Sequence, residues 1–216
     1  MVLVRHGAIP TPELVAGHKG CPGLSALGHR QANALAERLG RTDELGAVAA
    51  LYTSLMRRAI DTAAPLSAAL GVRAQPDCAF CELHDGEADG LPIAEAAEKF
   101  WLPGSQSSRH LPWNPNAPAA ESLPELVARA AGALVPLAYD HAGETVIVVT
   151  HAGVIRGSFM CFGDESFRSS WSRGAIQHTS LTEWLVHRPD AREAPAGMGQ
   201  PAALVRFDDA SHLENL

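Results

Sequence analysis

The amino-acid sequence predicts an α/β fold, a three-layer α/β/α sandwich with a mainly parallel central sheet and a small insertion cap. Short apolar segments alternate with segments of helical spacing, the order expected of a parallel sheet covered by helices on both faces. The length of 216 residues suits one domain, residues 1–216. Residues from about 85 to 124 are rich in Pro, Ser, Asn and Ala, and so long a connection favours a partly packed cap.

The predicted strands are short apolar stretches that end at Gly or at a polar residue. The clearest of them, Thr145–Thr150, has the sequence Thr-Val-Ile-Val-Val-Thr, which is typical of a buried strand. The full set of predicted strands is 1–4, 47–53, 72–75, 145–150, 175–186 and 203–207. The predicted strand at 175–186 contains His178.

The predicted helices begin at small polar residues that can cap them. Ser25 and Ser54 are the predicted N-caps of the first two helices, which end near Gly40 and Gly71. A third helix is predicted from about Ser122 to Tyr139, and a fourth follows the strand at 145–150.

Charge and hydropathy exclude several classes of partner. The chain has 17 Lys and Arg against 24 Asp and Glu, a net charge of −7, with no polybasic cluster. Nucleic acid and an anionic membrane are therefore not expected partners. Only four apolar residues precede Arg5, too few for a signal sequence or a membrane span, so a cytoplasmic location is predicted.

Four cysteines are present, at positions 21, 78, 81 and 161. The pair Cys78-x-x-Cys81 raises the question of zinc or of a redox pair. A zinc site would want a second ligand pair at similar spacing, which the sequence lacks, so we expect buried or half-buried free thiols and no metal.

Three basic side chains are predicted to meet at the carboxyl end of the sheet. His6 follows the first strand, His151 follows the 145–150 strand, and Arg58 lies just after the second. Ligands bind outside the carboxyl ends of strands in such sheets. Two imidazoles, a guanidinium and the first N–H groups of the helix at Ala152 suit a phosphate.

Several segments, in order, resemble the histidine phosphatase superfamily, also called the phosphoglycerate mutase-like family. The resemblance covers most of the chain and is strongest in Arg5-His6-Gly7, in the 52–63 segment and in Val148–Arg156. Further similar segments are Leu24–Gly28 with Gln31-Ala32, Glu82 with Gly86 and Gly90, and Glu121-Ser122 with Arg129. Matching the 52–63 segment to the family motif makes Arg58 the expected phosphate ligand, with Arg57 exposed to solvent.

The resemblance implies a mechanism and a set of site residues. His6 would attack phosphorus as a neutral imidazole, its other ring nitrogen held by a backbone carbonyl, and form a phosphohistidine. Arg5, Arg58 and His151, with the backbone at Ala152, would bind the phosphoryl oxygens. Glu82 would protonate the leaving oxygen and then activate water. No cofactor and no metal are implied.

Alternatives stay open for some of these residues. Three nearby acids could replace Glu82 as the general acid: Asp85, Glu87 and Asp89. The pair Glu121-Ser122 suits the start of a helix as well as a phosphate ligand. Trp113 with Arg109 and His110 could line the mouth of the pocket.

The chain departs from the family after Gly7. Ala8-Ile9 replace the usual Glu-Thr, and Pro12 replaces a phosphate-binding Asn, for which Thr11 or a loop amide would have to compensate. These changes affect substrate selection and leave the identity of the substrate open.

The leading hypothesis is a metal-independent phosphatase that acts on a small phosphorylated metabolite. A phosphoglycerate mutase is the second hypothesis, and a catalytically silent module that binds a phosphorylated ligand is the third. The sequence leaves the oligomeric state open, with a homodimer as one candidate.

Overall fold

The central sheet has six strands, of which four are parallel. The structure, a computed structural model, describes residues 1–101, 117–163, 165–187, 202–214 and 216. The strands are β1 (Val2–Arg5), β2 (Val48–Thr53), β3 (Ala74–Pro76), β4 (Thr145–Thr150), β5 (Leu181–Val186) and β6 (Ala202–Asp209). Their order is β3-β2-β4-β1-β5-β6, with β5 and β6 antiparallel to their neighbours.

Six helices lie within the described residues. They are α1 (Ala26–Arg41), α2 (Arg57–Leu70), α3 (Ile93–Phe100), α4 (Leu123–Asp140), α5 (Ala152–Phe162) and α6 (Phe167–Ser172). Ser25 caps α1 by accepting from the N–H of Gly28, and Ser122 forms a capping box with Glu125 at the start of α4. Gly71 ends α2 at φ 67°, in the left-handed region that glycine adopts easily.

The strands carry apolar side chains on both faces, so the core has two halves. Leu3 packs with residues of α4 and α5, whereas Val2 and Val4 pack with residues of α1 and α2. Strand β4 alternates in the same way. The predicted three-layer sandwich with a mainly parallel sheet is therefore confirmed.

Two local predictions were wrong. Residues 175–180 do not extend β5; Thr179 has φ 57°, which breaks the extended backbone, and His178 lies in the turn. Ser54 does not cap α2, which begins after Met56, because the Ser54 hydroxyl bonds to side chains described below.

The segment predicted as a cap contains α3 and contributes to a small apolar cluster that also includes Val15. Val15, Ala88, Ala96 and Ala117 form this cluster, with Trp101 packed against it. The predicted pocket mouth at 109–113 lies outside the described residues. Among the described helices, none combines the length and hydropathy needed to cross a membrane.

Candidate active site

Three strands deliver polar side chains to one edge of the sheet. β4 lies between β1 and β2, all parallel, with Arg5 level with Thr150 and Thr53 level with Val149. The residues that follow these strands are His6, Ser54 and His151, so they come together. Backbone bonds fix two of them: the N–H of His6 donates to Thr150 O (2.9 Å) and that of Ser54 to Val149 O (3.0 Å).

His6 has one ring nitrogen engaged and one free to react. Its Nδ1 lies 2.7 Å from the carbonyl oxygen of Gly7, which can only accept, so Nδ1 carries the proton and Nε2 the lone pair. Burial, and then the positive charge of Arg58, holds the pKa of His6 well below its usual value. The imidazole is therefore neutral near pH 7.

The loop after His6 is held by two helices. The N–H of Gly7 donates to Thr62 Oγ1 (2.9 Å) and that of Ala8 to Gln31 Oε1 (2.8 Å). A Cβ on Gly7 would lie 2.7 Å from the carbonyl oxygen of Gly28, so glycine is required here. Thr62 and Gln31 lie in segments that resemble the family, but their roles were not predicted, because the local sequence does not show which distant loop a side chain bonds to.

His151 is fully buried and its tautomer follows from its partners. Arg58 Nε, always a donor, lies 3.3 Å from Nδ1. Nε2 lies 2.8 Å from Ser54 Oγ, which also accepts from the N–H of Met56 and donates to Cys81 Sγ. Nε2 therefore carries the ring proton. Burial, then Arg58, lowers the pKa of His151 well below its usual value. Its ring centroid lies 5.1 Å from that of His6.

The two consecutive arginines occupy opposite environments. Arg58 is buried and donates through Nη1 to the carbonyl oxygen of Ala16 (2.8 Å) and to Cys21 Sγ (3.4 Å). Arg57 is exposed and pairs with Asp61 on the surface of α2. Arg58 is therefore the arginine that lies beside the histidines.

Arg5 reaches the same region from β1. Its Nη1 donates to the carbonyl oxygen of Ile176, and its buried Nε has no hydrogen-bond partner among the described residues. Burial lowers the pKa of Arg5, and the charge of Arg5 acts on both His6 and His151. A buried donor without a partner suits a site that receives an anion.

Glu82 is seated against the first turn of α5. Its Oε2 accepts from the N–H of Gly153 (3.0 Å) and its Oε1 from that of Leu83 (3.2 Å). A Cβ on Gly153 would lie 2.1 Å from Oε1, so this approach requires glycine. Ala152 precedes Gly153 as the first residue of α5, at the end of the helix where N–H groups bind anions.

The alternative acids differ from Glu82 in their surroundings. Asp89 accepts from the N–H groups of His18, Lys19 and Gly20, so it fixes a loop, and Glu87 is exposed. Burial, then Asp89 and Glu82, raises the pKa of Asp85 to about 6.

Arg129 positions the segment that carries Glu82. Its Nη1 donates to the carbonyl oxygens of Cys78, Ala79 and Cys81 at 3.0–3.1 Å, and Nη2 to that of Glu82 at 3.4 Å. Glu121 binds the same guanidinium through both carboxylate oxygens (2.8 and 2.7 Å). The Arg129–Glu121 ion pair thus acts on the backbone, whereas Ser122 next to Glu121 caps α4.

His178 lies beside His6 at the edge of the site. The ring centroid of His178 is 5.6 Å from that of His6, and burial lowers its pKa to about 4. Thr11 is exposed in the loop after β1.

Comparison with known proteins identifies the family. The model of the histidine phosphatase superfamily (branch 1) matches residues 1–194. The chain belongs to this superfamily. The resemblance seen in the sequence is confirmed, and with it the enzyme class, a histidine phosphatase acting on phosphomonoesters.

Several relatives have names or solved structures. A metal-independent phosphoserine phosphatase of Arabidopsis thaliana is 33% identical over 229 residues, covering 100% of this chain and 84% of the relative. Bacillus stearothermophilus YhfR superimposes with a TM-score of 0.75 at 25% identity, covering 99% and 98% of the two chains. A mycobacterial glucosyl-3-phosphoglycerate phosphatase, solved with VO3, superimposes with a TM-score of 0.68 at 25% identity. The match covers 85% of this chain and 92% of the phosphatase. Mycobacterial relatives 31% identical over 161 residues are longer, and the chain spans 42% of their length.

Proposed function

We propose that the chain hydrolyses a small phosphomonoester, with phosphoserine as the first candidate substrate, through a phosphohistidine on Nε2 of His6. The observation that carries this proposal is the 2.7 Å bond between Nδ1 of His6 and the carbonyl oxygen of Gly7. It assigns the lone pair to Nε2 in a ring that is neutral near pH 7, the state that a nucleophile needs.

In the first step, Nε2 of His6 attacks phosphorus in line and the P–O bond to the leaving group breaks. Arg5 and Arg58 compensate the charge on the equatorial oxygens, and the N–H of Ala152 adds a neutral donor. Glu82 delivers a proton to the leaving oxygen, which departs as an alcohol.

In the second step, Glu82 takes a proton from water, and the resulting nucleophile attacks phosphorus. The P–N bond breaks, inorganic phosphate leaves, and His6 returns to its neutral form. Every atom of this cycle comes from the ester, from water and from the side chains named, so no metal or cofactor is required.

Phosphoserine is chosen because of the Arabidopsis relative, which matches the entire chain and is named for that substrate. The glucosyl-3-phosphoglycerate phosphatase represents a second class, phosphorylated glycerates and their glycosides. A small diffusible substrate fits the cytoplasmic location predicted from the sequence. That location and a homodimer stay predictions.

The test is phosphate release from phosphoserine, phosphoglycerates, sugar phosphates and nucleotides by the wild type and His6→Ala. We expect steady release by the wild type, an acid-labile phosphoenzyme on rapid quenching, and neither for His6→Ala. His29→Ala, on the exposed face of α1, is the matched control. Transfer between phosphoglycerates without release would support the mutase, and binding without a phosphoenzyme would support the silent module.

A further inference from the structure

A cluster of three soft ligands lies beside the active site, in the segment between β3 and α3. The sulfurs of Cys78 and Cys81 and a ring nitrogen of His84 all lie within 4.8 Å of one another. Cys78 Sγ is 3.5 Å from His84 Nε2. Cys78 is exposed, Cys81 buried and His84 half-buried, so the cluster opens to solvent on one side. The mechanism proposed for His6 uses none of these groups.

We infer that Cys78, Cys81 and His84 form a Zn²⁺ site with three protein ligands and an open fourth position for water. Bonds of about 2.3 Å to sulfur and about 2.0 Å to nitrogen place tetrahedral ligand atoms roughly 3.5–3.8 Å apart. The Cys78–His84 pair is already at that separation. The other pairs close by rotation of side chains, which exposed Cys78 is free to make.

His84 supplies a third ligand that the prediction from the sequence did not include. That prediction required a second pair of ligands at similar spacing, whereas a three-ligand zinc site needs only one more residue. The turn at Cys78–Phe80 folds the chain so that His84, three residues after Cys81, faces the same point. Two thiolates and an imidazole favour zinc over the hard cations that prefer oxygen.

The backbone that carries these ligands is already fixed. Arg129 binds the carbonyl oxygens of Cys78 and Cys81 (both 3.1 Å), and the N–H of Cys81 donates to Cys78 O (3.0 Å). The N–H of His84 donates to Glu121 (3.3 Å). Binding therefore orders little more than three side chains. The two thiol protons go to solvent, and His84 binds as the neutral imidazole.

The cluster is connected to the active site in two ways. Cys81 Sγ accepts from Ser54 Oγ (3.3 Å), which is the partner of His151 Nε2. Cys81 and His84 also lie on either side of Glu82 in the chain, and the Glu82 carboxylate packs closely against the backbone of Gly153. When Sγ of Cys81 turns to the metal it gives up the hydrogen bond from Ser54, the partner of His151 Nε2, so we expect zinc to lower kcat. This consequence rests on the proposed function, whereas zinc binding does not.

The binding test uses the full chain, reduced and stripped of metal, titrated with Co²⁺ and then Zn²⁺. We expect thiolate-to-cobalt charge-transfer absorption that saturates at one Co²⁺ per chain and disappears when Zn²⁺ displaces it. Cys78→Ser and His84→Ala should each weaken zinc binding by at least about 10-fold. Cys161→Ser, whose thiol bonds within α5, is the control and should bind as the wild type does. Absence of the charge-transfer band in the wild type, or an undiminished band and affinity in Cys78→Ser, would overturn the site.

The coupling test measures kcat with and without Zn²⁺ in the wild type and Cys78→Ser. We expect zinc to lower kcat in the wild type, and Cys78→Ser to keep the basal rate and lose most of this sensitivity. Equal inhibition of both proteins would show that zinc acts on the imidazoles of His6 and His151, and no inhibition would show that the sites are uncoupled. If no phosphomonoester is hydrolysed at all, the proposed function fails and the cobalt titration still decides the zinc site.

Discussion

Nε of Arg58 donates to Nδ1 of His151 at 3.3 Å, although the two side chains were expected to present donors to the same phosphate. A guanidinium cannot accept, so Nδ1 of His151 has no proton in this state and Nε2 donates to Ser54. A neutral His151 therefore offers the phosphate no N–H from Nδ1. The anion must either displace Arg58 from the His151 ring or bring a proton to Nδ1 of His151.

Ser54→Ala tests how far the tautomer of His151 depends on its partner. The variant leaves the Nε2 proton and the N–H of Met56 without an acceptor, which costs about 1–3 kcal/mol of stability. We expect kcat to fall about 10- to 100-fold, the range for metal-ligating histidines that lose their outer partner. Nitrogen NMR shifts of the His151 ring should show protonation at Nε2 in the wild type and lose that preference in the variant.

Ser67→Ala is the matched control for that substitution. Ser67 lies in α2, and its hydroxyl donates to the carbonyl oxygen of Val72. It should lose about 1 kcal/mol at most and keep the wild-type kcat. An unchanged His151 ring and kcat in Ser54→Ala would show that Ser54 does not position His151.

Gly153→Ala tests the position of Glu82. The added methyl would lie 2.1 Å from Oε1 of Glu82, so the carboxylate must move away from its position against Gly153. We expect kcat to fall about 10²- to 10⁴-fold, the contribution of a general acid–base group, and to match that of Glu82→Gln.

Gly157→Ala, one turn further along α5, controls for the change of residue type. Its methyl would meet nothing closer than 3.7 Å. We expect the wild-type kcat and up to about 1 kcal/mol of added stability, because alanine is the better helix former. Full activity in Gly153→Ala would mean that Glu82 acts from elsewhere or not at all.

Arg58→Ala and Arg57→Ala form a pair that differs only in the environment of the side chain. Removing buried Arg58 should lower kcat/KM for phosphoserine by at least about 10²-fold, the effect of deleting one donor to a transition-state oxygen. Exposed Arg57 makes a surface ion pair with Asp61, so its loss should leave kcat/KM unchanged and the stability of the fold nearly unchanged. The reverse ranking would show that the register taken from the family motif is wrong.

The layers of the fold were predictable because each rests on a local pattern. The alternation along β4 and the serine that begins α4 are visible within a few residues. The site was predictable where motif residues follow strands, as His6 and His151 do. The role of Ser54 was not, because its hydroxyl bonds to His151, 97 residues away. His84 was missed for a different reason: it lies only six residues after Cys78, but the zinc prediction required a second pair of ligands and not one further residue.

The buried histidines make stability depend on pH. Burial depresses the pKa of both His6 and His151 below the usual 6.5. At a pH between the lowered pKa of the folded state and 6.5, the unfolded chain binds a proton that the native chain does not. The free energy of unfolding therefore falls as pH drops below 6.5. Each histidine adds at most about 1.4 kcal/mol per pH unit.

Urea unfolding at pH 7.5, 6.5 and 5.5 measures this dependence, and it stays above the range in which ordinary carboxylates titrate. We expect little change between the first two values and a clear loss at the third. His6→Ala should reduce the slope below pH 6.5, because one histidine with a lowered pKa is gone, while others such as His151 and His178 still contribute. A flat profile, or stability that rises toward pH 5.5, would show that these rings are not held neutral.

Chelation and vanadate test the metal-free mechanism. The charge on the phosphoryl oxygens is compensated by Arg5 and Arg58, so EDTA should leave kcat for phosphoserine unchanged or raise it by removing inhibitory zinc.

Vanadate should compete with substrate and bind at least about 10²-fold more tightly, as expected of an analogue of the transition state. A relative of this fold was solved with VO3 bound. The measurement is the rate of phosphate release over a range of substrate and vanadate concentrations, with Arg58→Ala as the variant that should lose most vanadate affinity. Activity that disappears with EDTA and returns with a divalent cation would contradict the mechanism.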